Sequence, residues 1–308
     1  MKSKLPKIIV VLGPTAVGKS AVAVSLAKKY NGEVISADSR QVYRGLDIGS
    51  GKITKKEMAD IPHHLLDVAD PKKRFSVINF KEHAEKAIDE IVARKKLPIV
   101  CGGTGFYIDA VVKNIIFPDV PPDERLRKKL AKKSPEELFR MLQKLDRKRA
   151  ETIDRHNLRR VIRAIEVAET CGTVPNVSEK PRYNALIIGI TLPPDKLRGR
   201  INKRLMERLK QGMVAEVKKL HEKGLSWKRL DELGLEYRFV AQFLRKEISR
   251  EEMVSKLQTE IYHFSKRQVT WFKRNKDIQW FSPNEKIKIE KLIKQFATQK
   301  VADLRTYT

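Results

Sequence analysis

The sequence predicts an α/β fold in which a parallel sheet of the P-loop type is flanked by helices and interrupted by a helical insertion. Three observations support this prediction. An apolar, β-branched run, KIIVVLG, leads directly into the glycine-rich stretch GPTAVGKS. Further apolar strands alternate with amphipathic helices, as in parallel sheets. Beyond Pro118 the chain becomes helical and highly charged before another apolar strand returns.

The elements of the core follow in chain order. KIIVVLG is typical of a buried parallel strand and ends at Gly13 and Pro14. KSAVAVSLAKKYNG predicts a helix that stops at Gly32, and EVISAD predicts a second strand. FSVINFKEHAEKAIDEIVARKK has the spacing of an amphipathic helix, and LPIVCGG is a third strand closed by glycines. We expect the carboxyl ends of these strands to form the ligand-binding edge of the sheet.

The middle of the chain has a different character. SPEEL predicts a helix start with Ser134 as N-cap and Pro135 in the first turn. NLRRVIRAIEVAETCG is an amphipathic helix ended by Gly172, and the strand NALIIGITLPP then resumes the core. We therefore predict a first core segment at 1–117, a helical insertion at 118–184, and a continuation of the core with C-terminal helices at 185–308.

The charge of the chain is strongly one-sided. Lys and Arg number 65 against 38 Asp and Glu, a net charge of +27. Basic surfaces also occur in thermophile ion-pair networks, but such networks need balancing acidic residues. The excess therefore favours a polyanionic partner, and nucleic acid before others.

Cysteine content and hydropathy indicate the compartment. The two cysteines, Cys101 and Cys171, form no C-x-x-C pair, which argues against a zinc module and favours a reducing compartment. The apolar run after MKSKLP is only a strand long and leads into the glycine-rich loop, so no signal peptide is predicted. No run approaches the roughly 18 apolar residues of a membrane span. We expect a cytoplasmic, monomeric protein that does not contact a membrane.

The glycine-rich stretch fits the pattern G-x-x-x-x-G-K-[ST]. Its backbone amides and the following helix N-terminus are suited to phosphate oxygens. Lys19 would add a charge at the outer phosphate, and the Ser20 hydroxyl would hold Mg²⁺. The predicted phosphate-binding residues are Gly13, Pro14, Thr15, Ala16, Val17, Gly18, Lys19 and Ser20.

The surroundings of this loop differ from those of a nucleotide hydrolase. A hydrolase usually has a later strand that ends in a metal-binding Asp. Here the strand LPIVC ends in GGTGFY, without an acid until Asp109. Asp38 instead follows the second strand, so we expect it to face the loop. Its alternative role is that of a turn or N-cap residue, which the residues alone leave open.

Several stretches occur together in the order of one family. These are GPTAVGKS, ISADSRQVYRGLDIGSGK, IPHHLLDVADP, CGGTGFYIDA, RRVIRAIEV, GMVAEVKKL and FSKRQVTWFKR. Between about residues 8 and 275 the chain resembles the tRNA dimethylallyltransferases. The resemblance implies transfer of a dimethylallyl group from dimethylallyl diphosphate to N6 of the adenine 3′ of the anticodon. The loop would then hold the diphosphate of a prenyl donor.

The resemblance also implies roles for individual residues. Lys19, the loop amides and Mg²⁺ on Ser20 would neutralise the leaving diphosphate. Asp38 matches the general base that takes the proton of the exocyclic amine. Thr104 and Arg127 match positions important for activity, and an arginine suits diphosphate oxygens. Arg200 is a further candidate for the diphosphate, with a solvated helix charge as its alternative.

The acceptor adenine must leave its stack to react, which implies an RNA-binding surface. By resemblance and composition, the residues predicted to contact tRNA are Asp38, Ser39, Arg40, Gln41, Arg159, Arg160, Arg163, Lys266, Arg267, Gln268, Trp271 and Arg274. The arginine trio is also compatible with a solvated helix face, and Trp271 with the core. For His63 and His64 we expect a structural, hydrogen-bonded role.

Two stretches depart from the family pattern, and three other functions stay open. The chain has RHNL where many members have H-P-N-D, and LGLEYR where many have G-Y-K-E. The first departure puts the RNA contacts of the insertion in question. The alternatives are an adenylate isopentenyltransferase acting on free AMP, ADP or ATP, a small-metabolite kinase, and a non-catalytic RNA-binding protein. The basic insertion argues against the first, the DSRQ and GGTG stretches against the second, and intact Lys19, Ser20 and Asp38 against the third.

Overall fold

A computed structural model describes residues 5–175 and 180–298. In these residues one sheet of six strands is parallel throughout, in the order β3-β2-β4-β1-β5-β6. This confirms the predicted parallel sheet. The strands are β1 Lys7–Leu12, β2 Gly32–Ala37, β3 His63–His64, β4 Leu97–Gly102, β5 Asn184–Ile190 and β6 Gln279–Phe281.

Helices connect and flank the strands, as predicted. They are α1 Lys19–Lys29, α2 Lys55–Met58, α3 Val77–Ala93, α4 Gly105–Val112, α5 Glu124–Leu130, α6 Pro135–Leu145, α7 Arg147–Thr152, α8 Leu158–Cys171, α9 Pro194–Lys210, α10 Met213–Glu222, α11 Trp227–Leu233, α12 Leu235–Leu244, α13 Arg250–Phe272 and α14 Lys286–Thr298. Within the described ranges, no helix is long and apolar enough to cross a membrane.

The register of the central strands places three loops at one edge. Leu12 of β1 and Ala37 of β2 both pair with Gly102 of β4. All three strands run in the same direction, so the residues that follow them emerge side by side. Gly13, Asp38 and Gly103 therefore begin neighbouring loops.

Both faces of the sheet are covered, which explains the continuous apolar run in β1. Ile9 and Val11 belong to one core cluster, and Ile8 and Val10 to the other. All four are fully buried, and each such side chain stabilises the fold by roughly 1.5–3 kcal/mol. The central strand is thus held rigidly beneath the glycine-rich loop.

The chain separates into two compact units. One comprises Met1–Asn114 and Pro181–Thr308, and the other Ile115–Lys180. The second unit holds α5 to α8 around its own apolar cluster, in which Leu130, Leu142 and Ile165 are fully buried. The predicted start at 118 lies three residues inside this unit, and the predicted end at 184 lies four residues after it. The predicted boundaries also span residues 1–4, 176–179 and 299–308, which lie outside the described residues.

The helix starts in the second unit follow the predicted local chemistry. Ser134 accepts a hydrogen bond from the backbone N–H of Glu137, and Glu137 bonds back to Ser134. This is the predicted capping box, with Pro135 in the first turn. At the other end Gly172 terminates α8 with φ 77°, a backbone angle that favours glycine.

A buried carboxylate joins three elements at the opposite end of the sheet from the loops. Glu33 of β2 is 2 % exposed and contacts His64 Nε2 at 2.7 Å, Arg94 at 2.7 Å and Lys96 at 2.9 Å. Burial raises the pKa of Glu33, but Arg94, His64 and Lys96 outweigh it and hold the pKa at about 2. His63 Nδ1 forms a hydrogen bond with the Ile61 carbonyl. This bond and the contact between His64 and Glu33 agree with the structural role predicted for the two histidines.

We expect Glu33→Gln to lower the free energy of unfolding by roughly 2–3 kcal/mol at pH 7, because Arg94 and Lys96 lose their buried carboxylate partner. The pKa of Glu33 is lower in the folded state, so its contribution is present above pH 4.5 and is lost as the pH falls towards 2. Denaturant unfolding at pH 7 and pH 3 measures this. Glu82→Gln, at an exposed position, is the control. An equal difference from wild type at both pH values would contradict the assignment.

Candidate active site

The loop between β1 and α1 contains three residues with positive φ angles. Gly13, Ala16 and Gly18 adopt φ angles of 146°, 65° and 97°. A Cβ on Gly13 would overlap the Ile190 carbonyl oxygen, so only glycine fits there. These turns lead into the N-terminus of α1, whose first amides have no partner within the helix. Loops of this geometry at a helix N-terminus are suited to binding anions.

Lys19 sits at the base of this loop. Its Nζ donates a hydrogen bond of 2.6 Å to the Pro14 carbonyl. Burial lowers the pKa of Lys19 to about 8, although Cys101 and Asp38 nearby act to raise it. Lys19 therefore loses its proton at a lower pH than an ordinary lysine. A bound polyanion would stabilise its charged form.

Asp38 has two oxygens with different surroundings. Oδ1 accepts hydrogen bonds from the backbone N–H groups of Arg40 at 2.8 Å and Gln41 at 3.4 Å. This is the turn geometry that was the alternative role for Asp38. Oδ2 accepts no hydrogen bond from any residue in the described ranges. One oxygen therefore orients the carboxylate, and the other is available to a ligand.

Thr104 joins the loop after β4 to the loop after β2. Its Oγ1 accepts a hydrogen bond of 3.0 Å from the Ser39 backbone N–H, and its own N–H donates to the Ala37 carbonyl. Because the hydroxyl oxygen accepts from Ser39, its proton can be donated to a ligand. The structure thus places the glycine-rich loop, Asp38 and Thr104 in neighbouring loops, where strand ends predicted Asp38 and the family resemblance predicted Thr104.

Other residues predicted near the donor or the acceptor also lie around these loops. Arg200 is exposed and donates to the Val17 carbonyl at 3.3 Å, so it borders the glycine-rich loop. The amide of Gln41 contacts Ser36 Oγ at 3.2 Å through Oε1 and donates to the Gly51 carbonyl at 3.3 Å through Nε2. The Arg40 guanidinium donates to the carbonyl of its neighbour Ser39.

The C-terminal cluster of predicted RNA contacts divides into exposed and buried members. Lys266 and Arg267 are exposed on α13, whereas Gln268 is buried. Trp271 is half-buried, donates from Nε1 to Asp109 at 2.8 Å, and carries the Arg274 guanidinium 5.1 Å from its ring centre. Its environment includes both the core packing and the cation contact that the sequence left open.

Two arginines of the helical unit, Arg127 and Arg163, share one buried carboxylate. Glu166 is 1 % exposed and accepts from Arg127 at 2.9 Å, from Arg163, and from the Asp123 backbone N–H at 2.6 Å. Burial raises the pKa of Glu166, but Arg127 and Arg163 outweigh this and lower it. Arg159 and Arg160 are exposed. The roles predicted for these four arginines stay predictions.

Glu216 is an anchoring residue that sequence reasoning missed. It accepts from the backbone N–H groups of Ile48 at 2.6 Å and of Asp47 and Gly49 at 3.0 Å, and from the Tyr237 hydroxyl at 3.0 Å. These bonds fix the loop beyond Asp38. The stretches GMVAEVKKL and LGLEYR contain Glu216 and Tyr237, but their spacing carries no signal for a partner so distant in the chain.

A metal ion at this site would take most of its coordinating atoms from the bound phosphate compound and water. Among the residues that the structure describes, no three of His, Cys, Asp or Glu cluster closely enough to hold a metal ion. Ser20 offers an exposed hydroxyl at the start of α1. This donor fits a hard cation that takes most of its ligands from phosphate oxygens and water, the habit of Mg²⁺.

Comparison with known proteins identifies the family. The family model for IPP transferase matches residues 41–275. The chain is 47% identical over 272 residues to tRNA dimethylallyltransferase 2 of Treponema denticola, covering 86% of this chain and 91% of that one. It is 42% identical to tRNA dimethylallyltransferase of Acetivibrio thermocellus, covering 94% and 96%.

Solved structures give the same result. The tRNA isopentenylpyrophosphate transferase of Bacillus halodurans superposes with a TM-score of 0.72 at 37% identity, covering 96% of both chains. A eukaryotic dimethylallyltransferase acting on tRNA superposes with a TM-score of 0.77 at 26% identity, covering 95% of this chain and 77% of that one.

Proposed function

The chain belongs to the IPP transferase family of tRNA dimethylallyltransferases, and we propose that it moves a dimethylallyl group from dimethylallyl diphosphate to N6 of the adenine 3′ of the anticodon in tRNA. One observation carries the chemistry. A phosphate-binding loop and a carboxylate with one unbonded oxygen emerge side by side from the sheet. The relatives favour this reading over prenylation of free AMP.

The donor side of the reaction needs positive charge around the diphosphate. Lys19, the amides at the start of α1 and the Thr104 hydroxyl supply donors to its oxygens. Arg200, beside the loop, adds a further cation. Ser20 would hold Mg²⁺, which when bound neutralises charge on the leaving group. Arg127 is proposed as a bidentate partner of the diphosphate, held in orientation by Glu166.

The acceptor side needs a proton acceptor. The adenine N6 forms a bond to the allylic carbon as the bond from that carbon to the diphosphate oxygen breaks. The N6 proton passes to Asp38 Oδ2, and diphosphate departs with the electron pair of the broken bond. Because Arg40 and Gln41 hold Oδ1, the carboxylate stays oriented during the transfer.

Each of the two units has basic side chains that we propose contact tRNA. Arg159, Arg160 and Arg163 are proposed to contact the RNA backbone. Ser39, Arg40 and Gln41 beside the base, and Lys266, Arg267, Trp271 and Arg274, are proposed to contact the unstacked loop nucleotides. Since tRNA is the substrate, we propose a cytoplasmic enzyme, and we propose that it acts as a monomer. Mass spectrometry of an anticodon stem-loop incubated with protein and donor tests the whole reaction.

The donor assignment predicts that inorganic pyrophosphate competes with dimethylallyl diphosphate and that ATP hydrolysis is negligible. Lys19→Ala should weaken donor binding roughly 10- to 100-fold, because the loop loses its ammonium. The pKa of Lys19 is lowered to about 8, so wild-type affinity should fall as the pH rises through 8. The donor affinity of Lys19→Arg should not change between pH 7 and 9, because the guanidinium stays charged. Calorimetry between pH 7 and 9 measures these affinities.

Lys28→Ala removes an exposed charge from the same helix and is the matched control. It should bind the donor as wild type does at every pH. Robust ATP turnover by the purified protein, or unchanged donor binding by Lys19→Ala, would contradict the donor assignment.

A further inference from the structure

One buried amide connects the two loops that carry the reaction. Gln268 of α13 is 7 % exposed. Its Oε1 accepts from the Thr15 backbone N–H at 2.8 Å, and its Nε2 donates to the Gly103 carbonyl at 2.8 Å. Thr15 belongs to the phosphate loop and Gly103 to the loop after β4. A single side chain therefore sets the spacing between them.

The backbone is shaped around this amide. A Cβ on Gly103 would overlap Gln268 Nε2, so the position accepts only glycine while the amide is in place. A buried amide that has both of its ends bonded costs little to hold, but losing either partner leaves an unsatisfied polar group. The amide of Gln268 thus requires glycine at position 103, and the two backbone groups require a side chain with one acceptor and one donor at position 268.

Gln268 is grouped with cations in the sequence but not in space. Its neighbours Lys266 and Arg267 are exposed, and Thr270 is exposed two residues later. Successive residues of a helix point about 100° apart, so a run such as KRQ spans different faces. The amide faces the interior and the cations face solvent.

We propose that Gln268 is a positioning residue for dimethylallyl transfer and not a contact to RNA, an inference that rests on the proposed function. Gly103 precedes Thr104, whose Oγ1 holds the Ser39 N–H beside Asp38. Gln268 therefore fixes the donor loop at one end and, through this chain of bonds, the general base at the other. A displacement of about 1 Å between reacting groups costs up to roughly 100-fold in rate.

The test compares turnover with RNA binding. Gln268→Met keeps the length of the side chain but neither hydrogen bond, and kcat for prenylation of an anticodon stem-loop should fall roughly 10- to 100-fold. The dissociation constant for the stem-loop should stay within about twofold of wild type. Gly103→Ala displaces the amide from the other side and should show the same loss, so the test survives if one variant fails to fold.

The double variant and a control complete the experiment. Gln268→Met in a Gly103→Ala background should add little further loss, because both changes break the same bridge. Thr270→Ala, on the exposed side of α13, should retain wild-type kcat. Normal kcat with weaker stem-loop binding in Gln268→Met, or fully additive losses, would overturn the proposal. Absence of transfer by wild type in the same assay would instead contradict the proposed function itself.

Discussion

Asp38→Asn is expected to fold and to bind tRNA within a small factor of wild type, yet to lose roughly 10²- to 10⁴-fold in kcat. The amide keeps an oxygen that can accept from the Arg40 N–H, so the turn is preserved. It replaces Oδ2 by an NH₂ group, which cannot take the N6 proton. Asp38→Ala should lose at least as much, because it also removes the turn contact.

A matched control separates catalysis from turn structure. Asp70 Oδ1 accepts from the Lys72 N–H at 2.8 Å, the same local geometry. Asp70→Asn should leave kcat near wild type. Single-turnover rates of prenyl transfer, with pyrophosphate affinity as a check on the donor site, are the measurements. Near-normal turnover by Asp38→Asn would reduce Asp38 to a turn residue.

The parts of the site that are local in sequence could be predicted. The β-branched run, the glycines and Lys19 all lie within about fourteen residues of one another, and their conformation follows from that short stretch. Asp38 could be placed because the carboxyl ends of parallel strands share an edge. The assignment of EVISAD as a strand of that sheet justified this step, and the register of Leu12, Ala37 and Gly102 shows why the loops after the three strands lie side by side.

The contacts that tighten the site could not be predicted, because they join residues far apart in the chain. Gln268 lies 253 residues from Thr15, and a glutamine in a cationic run is ordinarily interpreted as a surface residue. Glu166 shows the same difficulty at shorter range. It was part of an amphipathic helix pattern, but only the fold shows that its carboxylate holds Arg127 and Arg163. Burial of a polar side chain is a tertiary property.

The salt dependence of RNA binding tests the basic surface of the helical unit. Removing Arg163 would take one of two arginine partners from the buried Glu166 carboxylate and destabilise the unit, so a change in binding could not be separated from a change in folding. Arg159 and Arg160 are exposed, so Arg159→Ala with Arg160→Ala is the cleaner variant. The slope of log affinity against log salt should flatten by roughly one unit per lost phosphate contact. Donor affinity should not change, and Lys28→Ala with Lys218→Ala, which removes the same charge elsewhere, should preserve the slope.

We expect the base 3′ of the anticodon to decide whether a stem-loop reacts at all. An anticodon stem-loop with adenine 3′ of the anticodon should be prenylated, whereas the same stem-loop with guanine there should not react, since guanine offers an oxygen where adenine has its exocyclic amine. Free AMP should be a negligible acceptor, because it lacks the phosphates that would hold the unstacked base beside Asp38. Competition between AMP and the stem-loop for labelled donor, followed by separation of the products, measures the preference directly. Efficient labelling of AMP together with salt-independent RNA binding would replace the tRNA enzyme by an adenylate enzyme, while leaving the roles of Lys19 and Asp38 intact.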